Sequence, residues 1–88
     1  MFVLTDYERY FITKNLKNGK EKIKKADKLN DLEELLSDID IELVCGENGM
    51  DEEFDLTDFG RKAQNIHDDI FFRNHVYDEE SDSYICNY

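Results

Sequence analysis

Two short runs set carboxylates at alternate positions with hydrocarbon between them: Asp38-Ile39-Asp40-Ile41-Glu42-Leu43, and Asp51 to Leu56, Asp-Glu-Glu-Phe-Asp-Leu. Extended as strands, such runs hold charges on one face about 6.6 to 6.8 Å apart. On a helix, carboxylates at i and i+4 lie about 6 Å apart. Both spacings are comparable to that of phosphates along a DNA strand, where one charge falls per ~3.4 Å of rise. The chemistry these residues offer is occupation of Lys/Arg pockets made for a nucleic-acid backbone.

Other chemistries find fewer parts. His67 and His75 are eight apart, so a helix carrying both would set them near one face, beside Asp68 or Asp69. Helical metal sites normally place three or four residues between His ligands, so surface or capping roles are expected for both rings. Neither Cys45 nor Cys86 has a His or Cys at nucleophile or zinc-ribbon spacing, and the chain has no Gly-rich phosphate loop. An EF-hand is ruled out because Asp38-x-Asp40-x-Glu42 continues into Leu43, Val44 and Cys45. We therefore expect no catalytic residue, no metal, no cofactor and no enzyme activity.

Composition bounds the partner. The chain has 88 residues, 40% hydrophobic and 12% aromatic with no Pro, which suits one folded domain with one core. Its net charge of -11 is uneven: residues 1–28 carry eight Lys/Arg against four Asp/Glu, and residues 29–88 carry three against eighteen. Such a field repels nucleic acid and lipid head groups and draws in basic protein surfaces. No apolar run approaches 18 residues and no signal-peptide pattern opens the chain, so a cytoplasmic protein with reduced thiols is expected, its two Cys serving as small buried residues.

The positioning elements follow from local signals. Thr5-Asp6-Tyr7-Glu8 is a capping box that predicts a helix from Asp6 to about Asn18, with Asn18-Gly19 as its stop. Lys20 to Lys28 offers only Ile23 and Ala26 for burial and reads as a short helix or an exposed connector. Asn30 with Glu33 marks a second helix start, running through Leu32, Leu35 and Leu36 to about Ser37. For residues 39–45 we expect a strand, because Ile41 and Val44 fall off the helical stripe. The alternative is a helix continuing to a stop at Gly46. As strands, 38–43 and 51–56 pair across Asn48-Gly49, setting Glu42 opposite Glu53 and Asp40 opposite Asp55. Like charges so placed are destabilising, which points to a partner that needs them.

Thr57 caps a helix predicted over Asp58 to Asn74, with Phe59, Ala63, Ile66 and Ile70 packed on the apolar face of that hairpin. His75-Val76-Tyr77 and Ser83 to Tyr88 flank an acidic turn and read as a second hairpin or an added strand. The expected fold is α+β: a single domain over 1–88, with two to four helices packed on an antiparallel β-hairpin or small sheet. It divides into a basic helical segment, 1–28, and an acidic α/β segment, 29–88.

The Lys cluster, Lys14 to Lys28, could contact nucleic acid, and three helices followed by a hairpin have a winged-helix outline. The acidic part would then lie within about two Debye lengths of the phosphates, so neutralising the acidic half, in this chain or a neighbouring copy, is the preferred role. In size, charge and segments such as Met1-Phe2-Val3-Leu4-Thr5-Asp6-Tyr7-Glu8 and Leu56-Thr57-Asp58-Phe59-Gly60-Arg61-Lys62-Ala63-Gln64, the chain resembles small acidic phage or prophage proteins. It resembles in particular the DNA-mimic inhibitors of bacterial defence such as anti-CRISPR proteins. The resemblance assigns no residue a role. It implies a mode of action, occupation of a nucleic-acid site on a nuclease complex in a bacterial host.

The expected function is therefore a non-enzymatic inhibitor that meets a basic, nucleic-acid-binding protein surface, such as that of a CRISPR effector nuclease. Its contact residues would be Asp38, Asp40, Glu42, Asp51, Glu52, Glu53 and Asp55, joined by Asp78, Glu79, Glu80 and Asp82. Phe71, Phe72, Tyr77, Tyr84 and Tyr88 could anchor the contact. An antitoxin or immunity-type protein, and a small regulator using the Lys segment, are the alternatives. No membrane or direct nucleic-acid contact is expected, and a homodimer is compatible with the sequence.

Overall fold

The computed structural model describes Met1 to Tyr88. Four helices pack with a two-stranded antiparallel sheet in an α+β arrangement: α1 Asp6–Asn15, α2 Gly19–Leu29, α3 Glu33–Asp38, α4 Asp58–Asn74, then β1 His75–Asp78 and β2 Ser83–Cys86. No helix is long and apolar enough to cross a membrane.

The capping box closes α1 as its residue types require. The Glu8 N–H donates to Thr5 Oγ1 at 3.1 Å, and the Thr5 N–H donates to Glu8 Oε1 at 2.9 Å. The helix stops at Asn15 rather than Asn18, and Asn18 turns the chain in the left-handed region at φ 56° so that Gly19 can open α2. The Lys-rich run is thus helical, burying Ile23 and Ala26. Asn30 does not start α3. It ends α2 at φ 50°, and its carboxamide oxygen accepts the Phe2 N–H at 3.2 Å.

The largest correction concerns residues 39–44. They are no strand: α3 runs on as a π-helical segment, Ile39–Val44, with the Cys45 N–H donating to the Asp40 carbonyl five residues back at 2.9 Å. A turn of this width brings Val44 under Ile39, so both are buried although they do not share an α-helical stripe. Ile41 is left 62% exposed. Gly46 follows the end of the segment at a point where a Cβ would strike the Glu42 carbonyl, so glycine alone fits there.

Residues 51–55 form a tight loop. The Asp51 carboxylate accepts the N–H groups of Glu53 and Asp55, and Phe54 stands 82% exposed at φ 64°. Only Met50 and Leu56 bridge across its base. The expected acid-faced hairpin, with Glu42 opposite Glu53 and Asp40 opposite Asp55, is therefore absent. Helix α4 begins and ends where expected, capped by Thr57 Oγ1, which accepts the Gly60 N–H at 3.0 Å. Its buried side (Ala63, Ile66 and Ile70) packs on the π-helical segment, in one core cluster with Ile39, Leu43 and Val44 and with Leu35 and Leu36 of α3, in place of a hairpin. Phe2, Leu4, Phe11, Ile12 and Leu16 complete the core from the N-terminal side.

Candidate protein-binding surface

The tail hairpin is formed by cross-strand pairs: His75 with Cys86, Val76 with Ile85, Tyr77 with Tyr84 and Asp78 with Ser83. Strand alternation places His75, Tyr77, Tyr84 and Cys86 on one face and Val76 and Ile85 on the other. A two-stranded hairpin is at best marginally stable alone. Here the first face leans on the end of α4, where Tyr84 meets Phe71, Phe72 and Tyr77 edge-on at centroid distances of 5.4, 5.5 and 5.6 Å.

The packing leaves much of these side chains in water. Phe72 is 57% exposed and Tyr84 48%, and Tyr77 is comparably open; Val76 and Ile85 are open on the opposite face of the hairpin. The hairpin tip rims this strip with carboxylates. Asp78 accepts the Glu80 N–H and the Ser81 hydroxyl, which shapes the turn, and the Tyr77 hydroxyl donates to Asp82. That bond holds the Tyr77 phenol above its usual range. Glu79, Glu80 and Asp82 are exposed. One turn before Phe72, Asp68 and Asp69 add two carboxylates from α4.

The structure divides the acidic residues marked in the sequence. Asp78, Glu79, Glu80 and Asp82 gather at the hairpin tip. Glu52, Glu53 and Asp55 are exposed on the Phe54 loop, whose Asp51 is engaged in shaping it. Asp38 and Glu42 serve inside the fold: four apart on a helical segment, they bracket the Lys22 ammonium at 3.2 and 3.1 Å. Partial burial lowers the basicity of Lys22, but the two carboxylates outweigh it and leave its pKa raised. Asp40 stays exposed. The Lys segment thus meets acids of its own chain, with further pairs from Lys25 to Glu34 and from Arg9 to Asp27 at 3.0 and 3.1 Å.

The hairpin root rests on long-range contacts the sequence did not mark. Glu8, already a capping residue, grips Arg73 near the end of α4 through two bonds of 2.6 and 2.8 Å. Burial raises the Glu8 pKa, but the Arg73 guanidinium and the Thr5 groups outweigh it and hold the carboxyl below its usual range. Asn74 clasps Val3, accepting its N–H at 2.6 Å and donating to its carbonyl at 3.0 Å. A buried Asn closing an apolar helix was the available signal, since such a group requires partners. Both cysteines are free and exposed, unlike the small buried residues expected. No three His, Cys, Asp or Glu side chains converge in metal-binding geometry. No family model, curated protein or solved structure matches the chain.

Proposed function

We propose that this protein is a non-catalytic inhibitor or adaptor that docks the β1–β2 hairpin and the end of α4 on a basic, nucleic-acid-binding surface of a partner protein. The observation that carries the reading is the exposed aromatic strip of Phe72, Tyr77 and Tyr84 rimmed by the carboxylates at 78–82. Central aromatic anchors within a polar rim are where binding energy concentrates in protein interfaces. The rim and the net charge of -11 suit a Lys/Arg-rich partner and speed its encounter at low salt. The carboxylate row expected on two paired strands plays no part in this docking, because those strands do not form.

The test is capture from nuclease-treated bacterial lysate by wild type and by two double variants, Phe72→Ser/Tyr84→Ser and Glu53→Lys/Asp55→Lys. Glu53 and Asp55 are exposed, so the loop variant should keep the wild-type melting temperature within a few degrees. Tyr84 also holds the hairpin to α4, so the hairpin variant is compared at a temperature where circular dichroism shows it folded. The reading expects a defined basic protein on wild type and on the loop variant, and its loss on the hairpin variant. Equal recovery on the hairpin variant, or recovery that disappears with nuclease treatment, would overturn it.

A further inference from the structure

The β1–β2 register sets Cys86 opposite His75, and the side chains meet: Cys86 Sγ lies 3.8 Å from His75 Nε2. The ring is held from its other side. Its Nδ1 lies 2.8 Å from the Phe71 carbonyl oxygen, and it stacks on the Phe71 ring with centroids 4.3 Å apart and planes 15° from parallel. That carbonyl is one of the last four of α4, so the imidazole also caps the helix. A carbonyl oxygen only accepts, which assigns the proton to Nδ1 and leaves the lone pair of Nε2 facing the thiol.

The pair opens into a cleft of about 290 Å³, lined also by Asp31 and Glu33 ahead of and within α3, His67 of α4, and Tyr88 beyond β2. The His67 Nδ1 is engaged by Asp68 at 3.1 Å, and the Tyr88 oxygen accepts the Leu32 N–H at 3.2 Å. Burial, opposed by that N–H and reinforced by the neighbouring Cys86 thiol, holds the Tyr88 phenol above its ordinary range. Cys45 supplies an internal comparison: it is also free and exposed, but no imidazole bonds to it.

We propose that Cys86 and His75 form a thiol–imidazole pair that makes Cys86 a site of thiol–disulfide exchange with small disulfides. In the step, Cys86 gives its proton to His75 Nε2 and its sulfur attacks one sulfur of the incoming RS–SR. The RS–SR bond breaks as the Cys86–SR bond forms, and the leaving RS⁻ takes the proton back from the imidazolium. One disulfide is consumed and one is made, so no further oxidant or reductant enters. The Asp31 and Glu33 carboxylates make a cationic disulfide the favoured substrate class and an anionic one disfavoured. The assignment stands apart from the docking reading, since its readout is the mass of the Cys86 peptide.

The experiment treats the purified protein at pH 7 with limiting cystamine and follows modification of Cys86 and Cys45 by peptide mass mapping. A free thiol is only about 3% ionised at that pH. A neighbouring base can raise the thiolate fraction by up to roughly 30-fold, but a more acidic thiolate is a weaker nucleophile, so a rate about threefold that of Cys45 is expected here. His75→Phe keeps the stack on Phe71 and removes Nε2, so it should bring Cys86 down to the Cys45 rate. An anionic aromatic disulfide should lose part of the preference for Cys86. Equal rates at the two cysteines of the wild type would overturn the proposal, as would a His75→Phe protein that keeps the Cys86 advantage. Should His75→Phe melt the fold, as seen by circular dichroism, the wild-type ratio alone decides.

Discussion

The Arg73 guanidinium closes a two-bond grip on the Glu8 carboxylate, at 2.6 and 2.8 Å, joining the first turn of α1 to the last turn of α4 just before the hairpin. Glu8 is thereby used twice, since one of its oxygens also accepts the Thr5 N–H that opens α1. The hairpin and its aromatic strip are aimed by this joint and by the Asn74 clasp on Val3.

Acid should undo that joint. The folded-state pKa of Glu8 is depressed, so its contribution is full above the ordinary Glu value of about 4.3 and is lost as pH falls through the lower folded value. Glu8→Gln should cost roughly 2 kcal/mol at pH 7, a figure moderated because Arg73 is partly exposed. The difference from wild type should narrow steadily below about pH 4. Melting temperatures from pH 7 to pH 2 would show this, and a pH-independent difference would refute it.

Ile39 and Ile41 separate the π-helical segment from a strand. A strand puts both on the core face, whereas here Ile39 is fully buried and Ile41 is open. Ile39→Asp should prevent folding by burying an unpaired charge. Ile41→Asp should change stability by no more than about 0.5 kcal/mol. Circular dichroism and thermal melts of the two proteins decide it, and equal damage from both would restore the strand.

Thr57 anchors the start of α4 with two bonds. It accepts the Gly60 N–H, and its hydroxyl donates to the Asn48 carbonyl at 2.7 Å. Thr57→Ala should therefore cost about 1 to 2 kcal/mol, toward the upper end for a cap. Thr57→Ser, which keeps both bonds, should recover most of it in denaturant titrations. A Ser variant as weak as Ala would mean the methyl group matters and the cap does not.

What was legible in the sequence was local. The Thr5/Glu8 box and the Thr57 cap act within one turn, and the Asp58 to Asn74 helix followed directly from its apolar spacing. The tail hairpin was readable from β-branched and aromatic residues around an acidic turn. Where tertiary contacts decided, local signals misled. Val44 misses the α-helical stripe, yet a single widened turn returns it to the core, a cheaper solution than breaking the helix for a strand. Asn30 carried a start signal for α3 and instead ends α2, because Phe2 from the far N-terminus needs its side chain. The facing carboxylate pairs depended on a register that never forms. Asp38 and Glu42 turn out to hold Lys22, while the carboxylates of the tip line a surface on which Tyr84 and Phe72 are as prominent as the charge.

Hydrogen exchange tests the docking reading most directly, using the protein alone and in complex with the basic partner it captures. If the hairpin and the end of α4 form the interface, amides across Phe72 to Ile85 should be slowed on binding while those of Asp40 and the 51–55 loop keep their free rates. Protection confined to Asp40 and the 51–55 loop, with the hairpin unchanged, would contradict the account and move the binding surface to the Phe54 loop.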